Sequence, residues 1–132
     1  MIALDTNVLV RYLARDDVDQ FNMANNLINS CTADQPGYVC REVMIELVWV
    51  LERSYKYSRE EIADALESIV SASQLEVESA QDIAAVLNLY RKERYDFADL
   101  LIRQAALRGG NYNVKTFDQK FAKLEGVDLL GT

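Results

Sequence analysis

The period of apolar and polar positions changes several times along this chain, and each change marks an element. Ile2-Ala3-Leu4 is a short apolar run, a strand ending at Asp5, after which Val8, Leu9, Tyr12 and Leu13 recur at helical spacing. A second helix is expected from Val18 to Ile28, followed by a polar break from Thr32 to Gly37 that holds the single proline. Tyr38-Val39-Cys40 reads as a strand. Glu42 to Arg53 reads as a strongly apolar helix with Glu42, Glu46, Trp49 and Arg53 roughly on one face. Ser58-Arg59-Glu60-Glu61 is a capping-box signature that opens a helix with Ile62, Leu66, Ile69 and Val70 facing inward. Leu75-Glu76-Val77 alternates as a short strand. Ala80 to Glu93 carries an inward stripe of Ile83, Val86, Leu87 and Tyr90. A further helix from Asp96 to Arg108 is expected to stop at Gly109-Gly110. Tyr112 to Thr116 predicts a strand, Asp118 to Leu124 a short helix, and Val127 to Leu130 a last edge strand.

Strands alternating with helices predict an α/β fold, a mostly parallel central sheet with helices on both faces, built as one domain over residues 1–132. No internal repeat, low-complexity stretch or Pro/Gly-rich linker divides the chain. In such sheets ligands bind beyond the carboxyl ends of the strands. Asp5 and Asp118 fall just past predicted strands, and Glu46 and Asp99 lie on helices able to lean over the same edge.

Three of these acids stand inside strongly apolar runs. Asp5 lies between Ile2-Ala3-Leu4 and Val8-Leu9-Val10, Glu46 between Val43-Met44-Ile45 and Leu47-Val48, and Asp99 between Phe97-Ala98 and Leu100-Leu101-Ile102. Burying an unpaired carboxylate is costly, so such placements suggest convergence around a positive partner, for which a divalent metal is the candidate. Each acid also has a plainer reading. Asp5 can cap the first helix, Asp96 and Asp99 can be a cap and an acid at the positive end of a helix, and Asp118 has the same escape. Glu46 falls in mid-helix, where a cap cannot explain it; its plainer reading is a solvated stripe with Glu42 and Arg53.

The charge narrows the chemistry. A net charge of −7 reads against a nucleic-acid partner, yet it is segregated. Seven acids and no base lie between Glu60 and Asp82, while eight bases face four acids between Arg91 and Lys123. No histidine is present, which removes Ser-His-Asp, Cys-His and His-based RNA cleavage and leaves carboxylates, Lys, Tyr or metal-activated water. Cys31 and Cys40 lack metal-ligand spacing and are expected as free thiols in a reducing cytoplasm. No apolar run approaches the ~18–20 residues of a membrane span, and no leader pattern precedes Asp5. Oxygen-only ligands suit hard divalent cations, Mg²⁺ in particular, which activate water and stabilise a phosphodiester displacement without histidine.

Leu4-Asp5-Thr6-Asn7-Val8-Leu9-Val10, Glu42-Val43 to Glu46 with Trp49-Val50-Leu51-Glu52, Asp96-Phe97-Ala98-Asp99-Leu100-Leu101-Ile102 and Thr116-Phe117-Asp118 occur in this order. Together they resemble a PIN domain, specifically the VapC-type toxins of type II toxin–antitoxin pairs, over nearly the whole chain. The resemblance implies a PIN-like three-layer sandwich and a Mg²⁺- or Mn²⁺-dependent single-strand endoribonuclease leaving 5′-phosphate and 3′-hydroxyl ends. It implies metal ligands at Asp5, Glu46, Asp99 and Asp118, with Asn7, Asp96 and Thr116 in support. It further implies a homodimer held by a cognate antitoxin, with RNA as substrate; a cytoplasmic setting with no membrane is the expectation from the apolar runs and thiols above.

Against it stand a non-catalytic RNA- or protein-binding module of the same fold and an aspartate-based phosphotransfer domain. The second is disfavoured because position 7 is Asn where a phosphatase of that kind wants a second Asp, and because Asp16-Asp17 lies too far into the chain for a receiver domain. Tyr12, Trp49 and Tyr90 sit on apolar stripes and are expected in the core or an interface rather than as stacking platforms. Asn111, Asn113 and Lys115 make the strand before Asp118 more polar than a buried parallel strand.

Overall fold

Ile2–Ala3 forms the first strand (β1), and Leu4 extends its ladder by donating to the Tyr38 carbonyl at 2.8 Å. The structure, a computed structural model, describes residues 2–131. The chain divides into two compact units, residues 1–80 and 81–132.

In the first unit β1 is followed by α1 (Thr6–Ala14), α2 (Val18–Ser30), β2 (Gly37–Val39), α3 (Arg41–Arg53), α4 (Arg59–Ser71) and β3 (Leu75–Val77). The strands lie in the order β1-β2-β3, all parallel, with Tyr38 opposite both Ala3 and Glu76. A helix pair makes each crossover, as parallel neighbours require. Helix starts follow side-chain chemistry: Asp17 accepts from the Gln20 N–H at 3.0 Å, and Ser58 and Glu61 complete the capping box of α4. Leu9, Met44, Leu47, Leu51, Ile62 and Leu66 are buried, each contributing about 1.5–3 kcal/mol of transfer free energy. Gly37 in the central strand has a packing reason: a Cβ there would meet Cys31 Sγ at 3.2 Å and Leu75 at 3.3 Å.

The second unit takes up α5 (Ala80–Lys92), then α6 (Phe97–Gly110), β4 (Val114–Thr116), a single 3-10 turn (Phe121–Lys123) and β5 (Val127–Leu129). β4 and β5 pair in parallel with Thr116 opposite Leu129. Ile83, Val86, Leu87 and Tyr90 are buried as their spacing predicts, and Tyr90 meets Phe97 edge to face at 5.8 Å between centroids. The α/β reading with parallel strands and crossover helices is therefore what the chain adopts.

Several local expectations change. Cys40 leaves the strand to precede α3, and its side chain makes no cap; the Glu78 carboxylate accepts from the Arg41 N–H there at 2.7 Å. The expected stop at Gly109-Gly110 is overrun by two residues, because α6 continues from Arg108 through both glycines and Asn111, at φ 57°, ends it. The short helix at Asp118 shrinks to the 3-10 turn. The polarity of β4 has a local cause: Asn113 and Lys115 both donate to Asp128 on β5, at 3.0 and 2.8 Å. Trp49 is exposed on the outer face of α3 beside Glu42, Glu46 and Arg53, while Tyr90 is core and Tyr12 half-buried. Among the described residues no helix is long and apolar enough to cross a membrane.

Candidate metal and active site

The end of β1 turns directly into α1, so Asp5 occupies the cap position while Thr6 starts the helix. Oδ1 of Asp5 accepts from the Thr6 N–H at 2.8 Å. Thr6 is itself buried, and its hydroxyl donates a short hydrogen bond to Oε1 of Glu46 on α3. One threonine thus binds both carboxylates, its hydroxyl meeting Glu46 across 40 residues of chain. Asp5 and Glu46 are both exposed, which corrects the inference that their apolar surroundings would bury them. The apolar neighbours point inward from the other side of the same element: Val43, Met44, Leu47 and Val48 are buried while Glu42 and Glu46 share the outer stripe. Asn7 is exposed and turns to the groove between α1 and α2, lined also by Arg11, Gln20 and Met23.

In the second unit Asp96 caps α6, its Oδ2 accepting from the Asp99 N–H at 3.2 Å. Asp99 is half-buried one turn into the helix. Burial, then the neighbouring carboxylates of Asp96 and Asp118, push its pKa above the usual aspartate range. Asp118 follows β4: its N–H donates to the Thr116 hydroxyl at 3.0 Å, and its Oδ1 accepts from the N–H groups of Lys120 (2.9 Å) and Phe121 (3.0 Å). The fold therefore sets Asp96 and Asp118 near Asp99, with Thr116 bracing the turn.

The capping readings hold for Asp5 and Asp96, whereas Asp118 closes the turn before the 3-10 turn, whose own cap position is Lys120; each engages one carboxylate oxygen. Within either unit, no three Asp, Glu or Cys side chains of the described residues form by themselves a group able to hold a metal ion. The donors present are carboxylate oxygens, largely open to solvent, and a carboxylate destabilised by like charge is relieved by a cation. That chemistry fits a hard divalent ion that keeps several waters. Thr6 is the residue that the sequence pattern missed; its signal was its place between Asp5 and Asn7, where a hydroxyl at the first helical position is turned inward.

The PIN domain family matches residues 2–127 of the chain. A VapC ribonuclease of Aquifex aeolicus (strain VF5) is 32% identical over 124 residues, covering 94% of this chain and 92% of the relative. No solved structure matches this chain. With the ordered carboxylate motifs, the parallel strands and a match over nearly its full length, the chain belongs to the PIN-domain family, as a VapC-type member.

Proposed function

We propose that this chain is a ribonuclease toxin of a toxin–antitoxin pair, cutting single-stranded RNA with a divalent ion, Mg²⁺ or Mn²⁺, and leaving 5′-phosphate and 3′-hydroxyl ends. Asp5, Glu46, Asp99 and Asp118 are its metal ligands in this reading, with Thr116, Asn7 and Asp96 in support. The observation that carries it is the joining of two motifs separated in sequence: Thr6 donates through its N–H to Asp5 and through its hydroxyl to Glu46. Two carboxylates gathered at one threonine repel each other, and a cation bound there relieves that repulsion. The name of the VapC relative supports the same activity.

The ion supplies a lowered pKa for attacking water and charge to offset that developing on the phosphate. The protein's own residues do the rest. Thr6 fixes the separation of Asp5 and Glu46 by donating to both, and the Thr116 hydroxyl and the Lys120 and Phe121 amides fix Asp118. The carboxylates accept protons from attacking water, since no histidine is available to do so. The protein works in the cytoplasm as a homodimer, restrained by its antitoxin.

Asp5→Asn and Glu46→Gln are each expected to abolish RNA cleavage and relieve growth arrest, with thermal melting showing the fold intact. Chelation should stop the wild-type enzyme and added Mg²⁺ or Mn²⁺ restore it. Unchanged cleavage in both variants would overturn the assignment.

A further inference from the structure

Phe117 is 80% exposed, more than any other large apolar side chain among the described residues. A phenyl ring left in water forgoes the gain that normally draws it inward. The backbone that presents it is nevertheless fixed. On one side the Asp118 N–H is tied to Thr116 Oγ1 and Asp118 Oδ1 to two following amides. On the other, Lys120 Nζ donates to the Arg94 carbonyl at 2.6 Å and lies 5.1 Å from the Tyr95 ring centroid. Phe121, three residues beyond the hydroxyl-bonded turn, is buried and anchors it to the core. A rigid turn thus holds an aromatic face in solvent, next in sequence to a carboxylate assigned to the cleavage site.

Resting on the ribonuclease reading, we infer that Phe117 is a stacking platform for one unpaired nucleobase beside the phosphate that is cut. The Asp118 carboxylate beside it repels a phosphate backbone but not the uncharged face of a base, and Lys120, whose Nζ meets the Arg94 carbonyl, brings positive charge for the adjoining phosphates. Every base has a π-face, so the ring selects for an accessible base rather than for one sequence. A paired base keeps its faces inside the stack, so the platform favours single strands. Leu129 and Leu130 at the end of β5 are partly exposed, and a second copy of the chain is the rival occupant.

The test compares wild type, Phe117→Ala and Phe117→Tyr on a short unstructured oligoribonucleotide and on the same strand with one abasic position. Phe117→Ala should raise KM by about 5- to 150-fold with kcat within about twofold, and Phe117→Tyr should restore it. At one abasic position wild type should lose a comparable factor while Phe117→Ala is indifferent. Equal KM for wild type and Phe117→Ala overturns the inference. So does a loss in kcat that tyrosine does not rescue, or a variant whose only change is its self-association by sedimentation. Filter binding of the same strands without divalent ions separates the two levels: if wild type cleaves nothing but Phe117→Ala still weakens binding by this factor, the ribonuclease reading fails and the platform stands.

Discussion

Asp99 pays in stability for where it stands. Its folded-state pKa is raised above the ordinary 3.8, first by burial and then by Asp96 and Asp118, so the native state binds a proton more tightly than the unfolded chain does. Stability therefore falls as pH rises from the ordinary value through the raised one, and the penalty is complete above that. Asp99→Asn should melt higher than wild type at neutral pH and lose this advantage below pH 3.8, as read by thermal melts across pH. A lower melting temperature at neutral pH would refute burial and like charge as the cause. The carboxylates were legible as residues because their caps and apolar neighbours are written locally. Their surroundings were not: Glu46 looks embedded in the sequence but is exposed, since α3 buries the opposite side. Thr6 escaped notice because its bond to Glu46 is made across 40 residues.

At the scale of elements, caps and periodicity carried the reading. The Ser58 box starts α4 as expected, and the Leu75 to Val77 alternation is β3. The end of α6 was misplaced because two glycines look alike in sequence while their backbones differ. Gly109 has no left-handed φ and room for a methyl, with Tyr112 at an ordinary 3.6 Å; Gly110 sits at φ +150° with the Tyr112 ring at 3.3 Å. Gly109→Ala should therefore stabilise the protein by about 0.5–1 kcal/mol, whereas Gly110→Ala should destabilise it. Urea unfolding of the two variants decides it, and effects of the same sign would show that the helix end is set otherwise. Pairing partners were the other illegible part: the polar face of β4 is explained by Asp128, which no local pattern announces.

For the whole molecule, the order of strands and helices was written in the chain, and so was the segregation of its charge. What local pattern could not say was which aromatic rings the fold would leave outside. Phe117 is one and Trp49, 53% exposed, is the other that touches a motif element. The Arg53 guanidinium lies 5.4 Å from the Trp49 ring centroid, on the stripe that carries Glu46. Trp49 is also the sole tryptophan of the chain. Its emission should already resemble that of indole in water, so denaturant should shift the spectrum little even as circular dichroism records full unfolding. A large red shift on unfolding would mean that the indole is covered in solution. The same property makes the residue a label that the protein carries by itself. A blue shift on adding antitoxin, RNA or more of the chain would report, without any attached dye, that the outer face of α3 has been covered.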